Sequence, residues 1–436
     1  MKSIPQGSLE FNNNLSFDFG GGNLTSDSGL LIVRDLLEKL GLRKVLQSHF
    51  DDDTSRKHTI SSIIEQLIYQ HIAGYHQDDA ADELRHDPVF TNILEKEVLA
   101  SQPTISRVLN HFTKEDATLF NGVLQTLYLL THPAETTKQI VLDLDSTNVQ
   151  THGHQELSEY IVHYASKGYH PLVLFDGLTG DLMKMVLRKG SVYTSKGIRD
   201  FLEPVVKALR ENYPEATILV RGDSGFAMPE LYELCDEYGL HYVIRLKANN
   251  VVHQLTKDTV SEFLALYGQD YSKSHALHDE FDYQAGSWSH PRRVVCKVER
   301  DAGNLEVRTS FIITSLEAAP ETVVHAYHKR GNMENFIKEY KLDFGAQNLS
   351  HSSFAANQAK AMVLAIAYNI INAMKRLVLP KSHTTSRMLS LRSTFIKIGG
   401  RAICHARKCT IRLASSYPFK QLFYGIFERI RQLSFA

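Results

Sequence analysis

Three carboxylate-bearing stretches set out the chemistry open to this chain. Asp143 and Asp145 close the run "QIVLDLD" (139–145), Asp223 closes "ATILVRGD" (216–223), and Glu334 lies within "YHKRGNMENFIKEYK" (327–341). Carboxylates are hard oxygen donors, and a few of them, completed by water and substrate phosphates, are the usual protein share of a Mg²⁺ site. Two such ions about 4 Å apart stabilise both the attacking and the leaving oxygen of a phosphodiester. Asp143 and Asp145 are two residues apart and share one face of a strand, so either could be a ligand. Asp145 is favoured because "DST" stands at the strand end; Asp143 is left as a second ligand or a supporting group.

The third stretch carries more than an acid. Tyr327, Arg330, Glu334 and Lys341 fall at offsets of 0, 3, 7 and 14. At about 100° per residue a helix places them at roughly 0°, 300°, 340° and 320°, a stripe about 60° wide. A metal ligand would then sit in the middle of a face able to grip phosphates, Arg in bidentate fashion and Lys as a flexible point charge.

These residues need elements to hold them. "QIVLDLD", "PLVLFD" (171–176) and "LMKMVLR" (182–188) read as three strands of a meander. An amphipathic helix (195–214), the strand "ATILVRGD", a helix closed by Gly239 and the strand "HYVIRLK" (241–247) follow. Strands 139–145 and 216–223 would lie parallel and end at one sheet edge, which gathers Asp145 and Asp223. The expected class is α/β: a ribonuclease H-like mixed sheet, in two parts at 136–249 and 311–378, interrupted by a mostly β insertion at 250–310. Residues 1–135 read as a helical DNA-binding domain, in which "QPTISRVLNHF" (102–112) is a candidate recognition helix. Residues 379–436 form a basic C-terminal region, expected to be helical.

Composition narrows the partners. The chain has 436 residues and a net charge of −1, so the total does not suggest nucleic acid. The distribution does: residues 1–135 hold 19 Asp/Glu against 11 Lys/Arg, while residues 375–436 hold 13 Lys/Arg against the single acid Glu428. A basic segment of that density attracts phosphates. No stretch reads as a signal peptide, and the longest apolar run, 361–374, is too short to span a bilayer, which points to a cytoplasmic protein with no membrane partner. The four cysteines are scattered and suggest no disulfide framework.

With these residues located, the chain resembles bacterial insertion-sequence transposases of the DDE class, most closely the IS-thirteen-eighty group. The resemblance covers nearly the whole chain. It rests on "LDLDSTNVQTHGHQE" (142–156), "RGDSGF" (221–226) and the Tyr-x2-Arg-x3-Glu-x6-Lys signature at 327–341. It implies that Asp145, Asp223 and Glu334 are catalytic and hold two Mg²⁺ ions, with Mn²⁺ able to substitute. It also implies that Tyr327, Arg330 and Lys341 contact phosphates near the transposon end. By the same likeness Trp288, the only tryptophan, would stack on a flipped base, with Arg292 and Arg293 on nearby phosphates. The expected activity is cleavage at terminal inverted repeats and strand transfer into target DNA, by a homodimer assembled on double-stranded DNA. A structure-specific nuclease on the same fold, or a domesticated protein that only binds DNA, are the alternatives.

Overall fold

The computed structural model describes residues 7–406 and 408–435. The chain divides into two compact units, one of Leu124–Lys341 and Ala346–Met362, the other of Met1–Val123, Leu342–Gly345 and Val363–Ala436.

The first unit is built on a sheet of eight strands. In chain order these are β1 (Gln139–Ser146), β2 (Leu172–Asp176), β3 (Leu182–Val186), β4 (Thr217–Gly222), β5 (His241–Leu246), β6 (His275–Tyr283), β7 (Arg292–Arg300) and β8 (Arg308–Thr314). Their spatial order is β6-β7-β8-β5-β4-β1-β2-β3. β1, β2 and β3 form the expected antiparallel meander. β4 runs parallel to both β1 and β5. The fold is thus mixed α/β with one large mixed sheet.

Period-2 alternation sorts the two faces of that sheet. Leu142, Leu144, Val220, Tyr242 and Ile244 point one way and pack with Ile198, Leu202 and Val206 of helix α1 (Ile198–Asn212). Val243, Val295 and Ile312 point the other way, against Val323 and Val324 of a later helix, α3 (Pro320–His328). Between them in sequence, α2 (Pro229–Glu237) starts on its proline and is followed by Gly239 at φ 61°, the left-handed conformation glycine tolerates.

Residues 250–310 combine two helices with the expected strands. They open with helices Asn250–Leu255 and Lys257–Tyr267, then supply β6, β7 and the start of β8. These strands extend the same sheet instead of forming one of their own, because β8 pairs with β5.

The second unit is helical around residues 30–109. Its helices Leu30–Lys39 and Leu42–His49 are separated by Leu40 and Gly41, and Ile60–Ala73 is capped by the Thr59 side chain. Its C-terminal part is less helical than its composition suggests. Gly400–His405 and Lys408–Leu413 pair as an antiparallel hairpin, extended by Leu24–Thr25, before a final helix Lys420–Gln432. Cys404 and Cys409 face each other across that hairpin and are disulfide-bonded, contrary to the expectation from scattered cysteines. Residues five apart in sequence become cross-strand neighbours only once the hairpin forms. Among the described residues no helix is long and apolar enough to cross a membrane.

Candidate active site

Asp145 lies one residue before the end of β1, and Asp223 follows directly on β4. Because β1 and β4 are parallel neighbours, both carboxylates emerge at one edge, on the α3 face of the sheet. Asp145 Oδ1 accepts from the Ser146 amide at 2.8 Å, and Asp223 Oδ1 accepts from the Gly225 amide at 2.8 Å. These backbone donors fix one oxygen of each group.

The other oxygen of Asp145 meets a cation. Arg330 Nη2 lies 3.0 Å from Asp145 Oδ2 and also donates to the Leu144 carbonyl at 3.3 Å. Arg330 is buried, and its Nε has no hydrogen-bond partner among the described residues. Even so, the Asp145 carboxyl is pushed up to about 6. Burial is the main cause; Arg330 opposes it, and the charges of Asp223 and Glu334 add to it. Asp145 therefore feels the charge of both other expected carboxylates.

Asp143 takes a different role. It is fully buried, and both of its oxygens are held by Arg221, Nε at 2.6 Å and Nη2 at 2.7 Å. The two residues are register partners on β1 and β4. Arg221 Nη1 also donates to the Ala326 carbonyl of α3 at 2.9 Å. The pair thus ties two strands to one helix. Its close approach requires Gly177, where a Cβ would lie 2.3 Å from Asp143 Oδ2. Both oxygens of Asp143 are thus engaged by Arg221, which makes the residue a structural anchor between the strands.

The stripe 327–341 is not one α-helix. Tyr327 ends α3, Arg330 sits in a tight 3₁₀ turn over Lys329–Gly331, and Glu334 and Lys341 lie on α4 (Asn332–Asp343). Gly331 is a poor helix former, and the turn lets Arg330 reach inward to β1. A 3₁₀ turn rotates about 120° per residue, which breaks the continuous face. Glu334 is exposed, and Tyr327 is half-buried beside Arg245, Arg330 and Asp223. Lys341 Nζ donates to the Asn148 carbonyl at 2.6 Å and to Asn148 Oδ1 at 3.2 Å. It holds down the chain that leaves β1.

Trp288 and Arg292 are buried against protein, and Arg293 is paired at a partly exposed position. Trp288 is 7% exposed and packs edge-on to Tyr232 and Tyr283. Arg292 Nη2 pairs with Asp236 at 2.7 Å, beneath the Tyr232 ring, and Arg293 pairs with Glu280. Base stacking needs a free ring face, which Trp288 does not offer here.

Two neighbours escaped the sequence reading. Tyr164 donates to the Ser146 carbonyl at 3.2 Å, and burial beside Asp145 and Asp223 pushes its phenol up to about 12. Arg221 was visible in "RGDSGF" but carried no signal of its own partner.

The donor set suits a hard divalent cation in its chemistry: oxygen ligands, excess negative charge and one competing arginine. Among the described residues, however, no three His, Cys, Asp or Glu stand close enough to grip an ion as they are.

Residues 8–435 match the family described as transposase DDE domain group 1. Among solved structures, the chain is similar to a piggyBac transposase synaptic complex with hairpin DNA, at 13% identity and a TM-score of 0.41, over 98% of this chain and 84% of that one. No curated protein matches.

Proposed function

The chain belongs to the transposase DDE domain family, group 1, and on that premise we propose that Asp145, Asp223 and Glu334 form its catalytic set. It is a DNA transposase, an enzyme that cleaves DNA strands and transfers them, and DNA is its partner. Transposases of the DDE class work with divalent metal ions; the ions proposed here are two Mg²⁺, with Mn²⁺ able to substitute. The observation that carries the site assignment is the parallel pairing of β1 and β4, which brings Asp145 and Asp223 out at one sheet edge.

The strand order supports a ribonuclease H-like reading of the core. A meander of three antiparallel strands is followed by two that run parallel beside its first member. Bound metal ions supply Lewis-acid activation of water or a 3′-hydroxyl and stabilise the leaving oxygen. The chain's own residues set the geometry. The Ser146 and Gly225 amides orient Asp145 and Asp223, and Lys341 pins the segment after β1. Arg330, buried and with one N–H unmatched, is placed to trade Asp145 for a phosphate oxygen of the scissile strand. Tyr327 and Arg245 flank that position.

The finer proposals are cut-and-paste transposition at terminal inverted repeats, recognition of those repeats by the N-terminal helical region, a homodimer on DNA, and membership of the IS-thirteen-eighty group. The test is cleavage of a labelled duplex carrying the sequence that flanks the coding DNA, with Mg²⁺ or Mn²⁺. Cleavage at the ends, lost in Asp223→Ala while binding persists, is the expected result. Cleavage that survives the substitution places the site elsewhere, and end binding without cleavage under either metal marks a binding-only descendant.

A further inference from the structure

The basic C-terminal stretch sorts into matched and unmatched cations. Arg387 pairs with Asp343, Lys397 with Asp27 at 2.6 Å, and Arg392 donates to the His71, Ile72 and Asp343 carbonyls. Arg401, Lys408 and Arg412 are different. Each is exposed, and none forms an ion pair among the described residues. All three lie on the hairpin Gly400–His405/Lys408–Leu413.

The register of that hairpin puts them on one face. Arg401 stands opposite Arg412, Ile403 opposite Thr410, and His405 opposite Lys408. The other face carries Ala402 and Ile411 at its base and the Cys404–Cys409 bond towards its tip. Ala402 is buried and Gly400 sits against Ser28, so the fold fixes which face looks outward. Two arginines directly opposed across a ladder repel each other. No acid occurs between residues 379 and 427 to relieve them. Folding alone therefore gives no reason for this arrangement, whereas a polyanion would relieve it.

We infer that the outward face of this hairpin is a second DNA-binding surface, on which Arg401, Lys408 and Arg412 contact backbone phosphates of a duplex. The inference rests on the transposase reading and adds a surface outside the unit that carries the carboxylates. The shape suits the ligand: strands of six residues extend about 20 Å, and the major groove of B-DNA, about 12 Å wide, admits a two-stranded ribbon. Arginine's planar fork matches phosphate oxygens.

The test measures binding of the full chain to a duplex with the flanking end sequence across a range of salt. In Arg401→Ala/Lys408→Ala/Arg412→Ala the plot of log K against log salt should become shallower by up to about 2.7, at ~0.9 for each phosphate no longer neutralised. Arg412→Glu is the second variant. It removes the like-charge clash, so thermal stability should hold or rise while duplex affinity falls at least about tenfold. A wild-type slope and affinity in folded variants overturns the inference and leaves the transposase reading intact. No duplex binding by the wild type overturns both.

Discussion

The guanidinium of Arg330 lies 3.0 Å from a carboxylate oxygen of Asp145, and that oxygen belongs to a residue proposed to hold metal. In this state a protein cation takes the place next to Asp145. The geometry links two events: a phosphate that draws Arg330 away leaves Asp145 facing Asp223 and Glu334 with no counter-charge. Metal affinity should therefore rise when end DNA is bound. Removing the guanidinium with Arg330→Gln should raise Mn²⁺ affinity in the DNA-free protein, by roughly threefold or more for one competing charge in a partly buried site. Calorimetric titration checks this; an unchanged or weaker affinity contradicts it.

The raised Asp145 carboxyl sets a pH dependence of the metal-free protein. Its folded-state pKa of about 6 exceeds the unfolded value of ~3.9, so the folded state binds the proton more tightly. The ionised form thus weakens the fold. The penalty is absent below about pH 4 and complete above about pH 6. Asp145→Asn should stabilise the metal-free chain by roughly 1–3 kcal/mol at pH 7.5 and by little at pH 4. Thermal unfolding at the two pH values measures it, and an equal difference at both would contradict the stated cause.

Asp143→Asn should behave unlike Asp145→Asn. It leaves Arg221 buried without its bidentate partner, which costs about 3–5 kcal/mol. The expected result is a large fall in melting temperature. Retained stability with lost Mn²⁺ binding would return Asp143 to the ligand set.

Lys341→Met should loosen the segment after β1. Lys341 is tied to Thr147 and Asn148, so amide exchange over residues 146–150 should accelerate in the DNA-free protein. Unchanged exchange there would mean that Lys341 serves DNA alone.

Trp288→Ala should act through packing. Truncating a buried aromatic costs about 3–5 kcal/mol. A variant of wild-type stability that binds or processes end DNA poorly would restore the stacking role.

How much of this was legible in the sequence follows from the range of the interactions involved. Strands ending in "DLD" and "RGD" announce themselves by local pattern, and parallel pairing then gathers Asp145 and Asp223 without further information. The meander and both helices between β3 and β5 are equally local. The partner of Asp143 was not local: Arg221 is 78 residues away, and only the β1–β4 register makes them neighbours. Helical periodicity likewise could not register the 3₁₀ turn at Lys329–Gly331, from which Arg330 reaches Leu144 and Asp145. The family likeness put Trp288 on a flipped base and Arg292 on phosphates, yet their partners Tyr232 and Asp236 come from α2. The Cys404–Cys409 bond needed the hairpin first.

Asp145, Asp223 and Glu334 are proposed to act as one metal site. The most direct test is Mn²⁺ binding, followed by electron paramagnetic resonance, to the full chain on end duplex. Wild type is compared with Asp145→Asn, Asp223→Asn and Glu334→Gln. Each single substitution should weaken binding by at least about tenfold while duplex affinity stays within a factor of about two, since removing one charged ligand removes a main share of the ion's attraction. Wild-type Mn²⁺ affinity in any one of the three would contradict a shared site.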